Sequence, residues 1–341
     1  MKLRDFIIRR LIFSIFVIFG ISFITFIMIF LVGDPVTVFL GHGGYSEEDI
    51  ERLKRTYGLD KPLYVQYVNY MVKLFMGDWG KSLRTGRPVL NEIIVNFMST
   101  FELIVFSSII AFLIGLYLGV LSVKYENRLV DHIVRFISIS GVSFPSFWLG
   151  LVLMIIAVNF GFTAITGRID PYIKEVYPFE TITGMYLVDT LIQGNFPAFF
   201  SALEHIILPA LTLAAYPAGS IARMVRASML EVVDEYYILA ARASGLPEKI
   251  IDRYILKNAI GPTITIAGLN FAYYIIGAFY VEWIFARQGL GRLAGDALFH
   301  LDYPVIMGIT VFVAIFYIIV NLIVDIIQAF IDPRILKEEG S

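Results

Sequence analysis

Apolar residues fall along the chain in six blocks, at residues 11–32, 103–123, 136–160, 206–222, 263–286 and 304–331. Each is long enough to cross a hydrocarbon core of about 30 Å, which takes about 17–25 helical residues. The first block follows Lys2, Arg4, Arg9 and Arg10, with no small-residue cleavage site behind a short apolar stretch. That predicts a retained anchor and not a cleaved signal. The fourth block is the shortest and carries Pro209 and Pro217. Membrane helices tolerate such breaks where neighbouring helices satisfy the freed backbone groups. The pattern predicts an all-α integral membrane protein with six transmembrane helices.

Composition agrees. Of 341 residues, 58% are hydrophobic and only 16% charged, against about 25% charged in soluble proteins. Mean hydropathy is +0.76. The chain has no cysteine, which excludes disulfide frameworks, thiolate metal sites and a cysteine nucleophile. A net charge of −2 gives no overall basic surface, so nucleic acid is not an expected partner and the lipid bilayer is. The placing of Lys and Arg orients the chain. With the N-terminus inside, the inner segments hold fifteen of the 27 and the outer ones twelve, eight of these between residues 33 and 100. That connection is too long to be governed by the positive-inside rule, and both termini are expected to be cytoplasmic.

Two outer connections are long enough to have structure of their own. In the first, Ser46-Glu47-Glu48-Asp49 resembles a capping box, and Ile50, Leu53 and Tyr57 follow at helical spacing before Gly58, which predicts a short helix. A second is expected after it, capped by Asp60, with Pro62 in its first turn and Leu63, Tyr67, Tyr70, Met71 and Leu74 on one apolar face. The pair is expected to pack on the outer ends of the spans. The second connection, residues 161–205, shows Pro, Gly and Tyr punctuation without a clear period.

The inner segment from Arg223 to Pro262 is charged, with its apolar residues at helical spacing. Ala240, Ala241, Ala243 and Ser244 surround Arg242 with small side chains, Gly245 ends the helix, and Pro247 opens another. Two short helices meeting at a glycine form a knob that a partner groove can grip, with Arg242 as a directional contact to carboxylates or carbonyls. Composition alone also fits an amphipathic loop lying on the bilayer. Spacing separates the two readings. Ala240-Ala241, three residues, Gly245, nine residues and then Ile255 resembles the "EAA" loop by which permease subunits of ATP-binding-cassette importers dock on their ATPases. Leu239 stands where the general consensus has Glu, and Asn258 where it has Pro.

Those departures point to one branch. The stretch Tyr237-Ile238-Leu239-Ala240-Ala241-Arg242-Ala243-Ser244-Gly245-Leu246, with Leu256-Lys257-Asn258-Ala259 and Pro262, resembles the dipeptide/oligopeptide/nickel permease family. Gly33-Asp34-Pro35, Tyr57-Gly58-Leu59-Asp60, Gly77-Asp78-Trp79-Gly80, Ser143-Phe144-Pro145-Ser146-Phe147, Gly289-Leu290-Gly291 and Asp332-Pro333-Arg334 extend the likeness over most of the chain. The short tail and large first outer loop resemble the first of the two paired permease types. The resemblance implies a type I importer permease in a prokaryotic cytoplasmic membrane. Its implied organisation is a tail and first helix at 1–32, an outer helical loop at 33–100, a five-helix core at 101–331 with a coupling loop at 223–262, and a tail at 332–341. It also implies a homologous second permease, two cytoplasmic ATPases that bind ATP and Mg, and an external substrate-binding protein. No cofactor is expected in this chain. Glu235, Tyr237 and residues Ala240 to Leu246 are the expected ATPase-coupling positions.

Ser143, Pro145, Asn270, Glu282, Asn321 and Asp325 are candidates for the translocation path, because polar groups within spans mark pathways or interhelical ties. Ser138 and Ser140 share the third span with Ser143. Gly80-Lys81-Ser82 lacks the first glycine of a phosphate loop, with Phe75 in its place, and ATP binding by this chain is rejected. His42, His132, His205 and His300 are scattered, which argues against a metal site. Gly41-His42-Gly43-Gly44 reads as a turn, and no nucleophile elbow or metalloprotease pattern occurs. No enzyme activity is expected. Peptide is the expected cargo, with oligosaccharide or nickel as alternatives and stacking on Trp79, Trp148 or Trp283 as the sugar-binding possibility. A rival of a different class is an ion-coupled transporter using Glu282 and Asp325.

Overall fold

A computed structural model describes residues 3–32, 48, 51 and 60–331. Apart from residues 48 and 51, the helix expected at residues 46–58 lies outside the described residues, as do the Gly33-Asp34-Pro35 and Asp332-Pro333-Arg334 motifs and His42. Every regular element among the described residues is helical: α1 Leu3–Val32, α2 Leu63–Phe75, α3 Val89–Lys124, α4 Leu129–Ser143, α5 Ser146–Asn159, α6 Pro171–Val176, α7 Tyr186–Ile192, α8 Phe196–Val233, α9 Tyr236–Ala243, α10 Glu248–Leu269, α11 Phe271–Ile284, α12 Leu290–Phe299 and α13 Tyr303–Ile331. Four of them, α1, α3, α8 and α13, are long and apolar enough to cross a membrane singly, and six crossings result if the bent pairs α4–α5 and α10–α11 each count as one. The chain groups into two compact units, residues 1–98 with 289–322 and residues 99–288 with 323–341.

In the first unit, α1 exposes Phe13, Phe16, Ile24 and Met28 and buries Ser22 and Phe26. An apolar helix with so little covered needs lipid or protein around it. The buried seam receives α2. The Tyr67 hydroxyl donates to the Phe19 carbonyl at 3.0 Å and lies 2.9 Å from the Ser22 hydroxyl, with the Tyr67 ring edge-on to Phe23 and Phe26. Thus α2 packs on the flank of α1 and not on its end, because its aromatic face needs an apolar partner surface. Nor does Asp60 cap it: Pro62 holds the N-cap position without a side-chain bond. After Gly80 a tight loop is clamped by the buried Asp302, whose carboxylate accepts from the Ser82 hydroxyl at 2.5 Å and from the Leu83 and Arg84 amides at 3.1 and 3.2 Å. Val89, Ile93, Leu290, Ala297, Val305 and Ile309 form this unit's core.

In the second unit, two expected straight spans are broken. The block at 136–160 bends by 113° between α4 and α5. Phe144 there is extended, at φ −80° and ψ 129°, the conformation proline imposes on its predecessor, and Pro145 has no N–H to continue the ladder. The block at 263–286 belongs to a longer pair, α10 and α11, bent by 52° at Asn270. The fourth block is far longer than its apolar run: α8 has 38 residues with Pro209 and Pro217 inside, about 57 Å at 1.5 Å per residue.

The connection at 161–205 is a folded lobe, not an irregular loop. Asp170 caps α6 by accepting from Tyr172 N at 2.8 Å, and Asn195 caps α8 through Ala198 N at 3.2 Å. The buried Asp189 carboxylate accepts from Thr183 N, the Thr183 hydroxyl and Gly184 N at 2.7–3.1 Å. Ile169, Tyr186, Ala198 and Ala202 form its small core. Its helices have 6 and 7 residues, too short to leave a period in the sequence.

Candidate coupling knob and translocation path

The segment after α8 folds as two helices meeting at a turn. Helix α9 is held by one buried side chain, Ile238, packed with Val225, Met229, Ile251 and Ile255. Its carbonyls are closed by Gly245, at φ +77°. Gly245 N donates to Arg242 O at 2.9 Å and Leu246 N to Ala241 O at 3.3 Å, the paired bonds of a Schellman turn, which favour glycine at the left-handed position. Pro247 stands just before α10. Ala240, Arg242, Ala243, Ser244, Gly245 and Leu246 lie along the crest of this turn, and Leu246 is among the exposed apolar side chains. Tyr236 and Tyr237 are also exposed, and Glu235 precedes α9 without a side-chain cap bond. Arg242 reaches Glu248 at 3.5 Å with both side chains exposed, a weak pair that leaves the guanidinium open to a stronger partner. The geometry is that of a knob with a small-residue crest.

Three interruptions of helical regularity converge in the same unit. The Tyr273 side chain, near the start of α11, lies near the Ser146 side chain at the start of α5. The Tyr273 ring stacks on Tyr216 at 4.3 Å, next to Pro217 of α8. Thus the break at Phe144-Pro145, the break at Asn270 and the proline of α8 share one neighbourhood, and they bring Ser143, Pro145 and Asn270 towards each other. Ser143 turns its hydroxyl back to Ile139 O at 2.8 Å. The buried Asn270 leaves its Nδ2 without a partner among the described residues. Phe144 and Trp148 stack at 4.7 Å, both partly exposed.

Glu282 is elsewhere, eleven residues along α11 from Phe271 and about 16 Å from its start. It is fully buried and accepts from the Thr100 hydroxyl at 2.6 Å. Close by, Glu102 Oε2 accepts from Arg287 at 2.7 Å and from Arg168 at 3.0 Å, while its Oε1 caps α7 through Leu187 N at 2.7 Å. The Arg168 guanidinium lies 3.6 Å over the Tyr186 ring. Burial pulls Arg287 down to about 10, against the opposing pull of Glu102, so it stays charged at neutral pH. Asn321 and Asp325 are half-buried on α13, Asn321 in the first unit and Asp325 in the second.

Sequence reasoning missed this charge cluster, and it missed a second one. The buried Asp131 of α4 takes a bidentate pair from Arg226 of α8, with both N–O distances 3.0 Å. It also accepts from the Ser122 hydroxyl and from Asn127 N at 3.1 Å. Glu102, adjoining an apolar block, offered the one sequence signal; partners 66 to 185 residues away could not be read from spacing. Among the described residues no three His, Asp or Glu side chains gather to hold a metal. His132 meets Arg135, and the ring Nδ1 atoms of His205 and His300 meet their own helices' carbonyls.

Comparison with known proteins places this geometry. The family model for the "binding-protein-dependent transport system inner membrane component" matches residues 111–337, and the model for the N-terminal part of such components matches residues 3–105. The chain belongs to this family. It is 44% identical over 331 residues to the probable D,D-dipeptide transport system permease protein DdpB of Escherichia coli (strain K12), covering 96% of each chain. It is 39% identical to the di/tripeptide transport system permease protein DppB of Pseudomonas aeruginosa (strain UCBPP-PA14), over 97% of this chain and 98% of the relative. It is 36% identical to the oligopeptide transport system permease protein AppB of Bacillus subtilis (strain 168), with the same coverage. The resemblance read from the coupling loop and its flanking motifs is borne out, as is the all-helical membrane fold. The family is a permease component in the inner membrane, and the chain carries the knob and the broken spans within that framework.

Proposed function

We propose that this chain is one of two paired permeases of a peptide importer, and that together they enclose the path. ATP and Mg are bound by two separate ATPases, which grip the knob from the cytoplasm. An external binding protein delivers the cargo. The observation that carries this reading is the knob itself: an exposed small-residue crest closed by Gly245 and rooted by Ile238 in the core of α8 and α10. In this reading both termini and the knob are cytoplasmic, and the lobe at 161–205 is outside. Relatives named for dipeptide, di/tripeptide and oligopeptide transport support peptides as cargo.

The path runs by the joined breaks. Irregular backbone at membrane depth is tolerated only where protein buries it or water lines it, and the breaks at Phe144-Pro145 and Asn270 meet that condition beside a path. Ser143, Pro145 and Asn270 border it there. Glu282 acts through Thr100 in holding α11 to α3.

The test is a tagged purification from native membranes in mild detergent, with all co-purifying chains identified, followed by vanadate-sensitive ATPase and uptake assays. A second permease, two ATPases and uptake of labelled dipeptide in preference to disaccharide or nickel are expected. A chain that purifies alone, without ATPase activity and with flux that follows an ion gradient, would overturn the reading in favour of ion-coupled transport through Glu282 and Asp325.

A further inference from the structure

We propose that Asp131 and Arg226 are positioning residues that lock α4 to α8 as one lever, which carries a push on the knob to the break at Phe144-Pro145. The inference rests on the importer reading above. Its geometry lies wholly within the second unit.

Helices α4 and α8 run antiparallel in close contact along their whole overlap. A Cβ on Gly141 would meet Ala215 O at 2.9 Å, and one on Gly219 would run into Ser138 O. At the far end the bidentate Asp131–Arg226 pair closes the seam. Residue numbers rise along α8 (215, 219, 226) as they fall along α4 (141, 138, 131), so these contacts form a single stripe. Between the second and third lie the buried Val134 and Ala222. The nearest atoms at 141 and 219 are backbone carbonyls, so the two helices approach each other backbone to backbone there, and the Asp131–Arg226 pair fixes their register.

Each end of this stripe leads to a functional element. On α8, Arg226 is followed by Met229, which packs on Ile238 of α9, and the helix ends at Val233, three residues before α9 begins. On α4, Asp131 lies twelve residues before Ser143, where the 113° bend begins. A displacement of α9 therefore moves α8, and the locked seam delivers it to the break. Asp131 also ties in α3 through Ser122, and the turn that follows α3 through the Asn127 amide. The same helix is fitted to α8 higher up, where a Cβ on Gly115 would lie 2.7 Å from Ile221 Cβ.

The pair is fully buried on the Asp131 side and 22% exposed on the Arg226 side. A buried ion pair is not a general stabiliser, since apolar replacements often serve stability equally well. What it supplies here is a fixed geometry between two helices at the point where force enters.

The experiment uses the whole importer in lipid nanodiscs, with transport and ATP hydrolysis measured on the same sample. Wild-type coupling first establishes the importer reading, so a failure of that reading is visible before any variant is made. Asp131→Asn, Arg226→Gln and the double variant are then compared. Transport per ATP is expected to fall about fivefold or more in each single variant, the lower end of ordinary intersite coupling, with hydrolysis retained. The double variant is expected to be no worse than either single one, as befits residues acting as a unit. A merely structural pair would lower transport and hydrolysis in proportion, and that result, or unchanged coupling in all three variants, overturns the proposal.

A second measurement does not depend on those variants folding. The chain has no cysteine of its own, so Val134→Cys with Ala222→Cys permits a cross-link across the seam. Cross-linked protein is expected to transport at the rate of its reduced form, because the lever moves as one piece. Arrest on cross-linking, reversed by reductant, would mean that α4 and α8 move relative to each other, and the lever would be wrong.

Discussion

Gly245 meets two demands at once: a φ of +77° and an N–H that donates to Arg242 O. The left-handed conformation costs other residues about 1–2 kcal/mol, and proline neither adopts it nor offers the donor. Gly245→Pro is expected to abolish uptake while the protein still inserts, and Ala241→Trp to do the same by overfilling the crest. Uptake assays alongside quantification of the membrane fraction check both, and wild-type uptake in the two variants would remove the turn from any coupling role. Glu102 presents the opposite case, a residue whose partners hide its importance. Glu102→Ala would leave Arg168 and Arg287 buried without their shared carboxylate, a loss of about 3–5 kcal/mol by the usual cost of breaking a buried pair. A lowered unfolding midpoint in detergent, with the lobe at 161–205 opened to protease first, is the expected outcome. An unchanged midpoint would show that the cluster holds nothing.

Among the elements, the seam between α4 and α8 is the least forgiving. A valine at Gly219 would press on the Ser138 carbonyl, and overpacking of this kind costs about 1–3 kcal/mol. Gly20, inside α1 with nothing within 4 Å of a would-be Cβ, serves as the control, and Gly20→Ala is expected not to lower the midpoint in the same thermal-unfolding assay. The existence of these elements was legible in the sequence because an apolar run of bilayer length hides its surface from water most simply by crossing lipid. Their shapes were less so. Pro145 announced a break that the unbroken apolar run around it concealed, and Asn270 gave no warning at all. Helix α8 outran its block because Ser201 and His205 at one end and Arg226 at the other continue it with polar residues turned towards protein. Asp60 was a plausible cap by residue type, yet the chain enters α2 two residues later, at Pro62.

For the whole molecule, the absence of cysteine makes topology directly measurable. Single cysteines at the exposed Tyr172 of the lobe and the exposed Tyr236 of the knob are expected to react with an impermeant maleimide from opposite sides of the membrane: Tyr172→Cys in intact cells or spheroplasts, Tyr236→Cys only in inverted vesicles. Labelling of both from one side would overturn the proposed orientation. The knob was legible because its turn needs specific residues at fixed spacing, Ala241, Gly245 and Pro247, all within one local segment. The path was half legible: Ser143, Pro145 and Asn270 were recognisable one by one, but the rings of Tyr216 and Tyr273 that unite them lie 57 positions apart and follow no period. The charge clusters were illegible for the same reason, since folding alone decides which of many acids meets which base. The Glu102 cluster has one more consequence. Ions in solution screen charges over about 8–10 Å of water, and Glu102, Arg168 and Arg287 are each at least nine-tenths withdrawn from it. The joint between lobe and helices should therefore hold equally in dilute and in briny surroundings, whereas the surface pair Arg242–Glu248 would loosen as ionic strength rises.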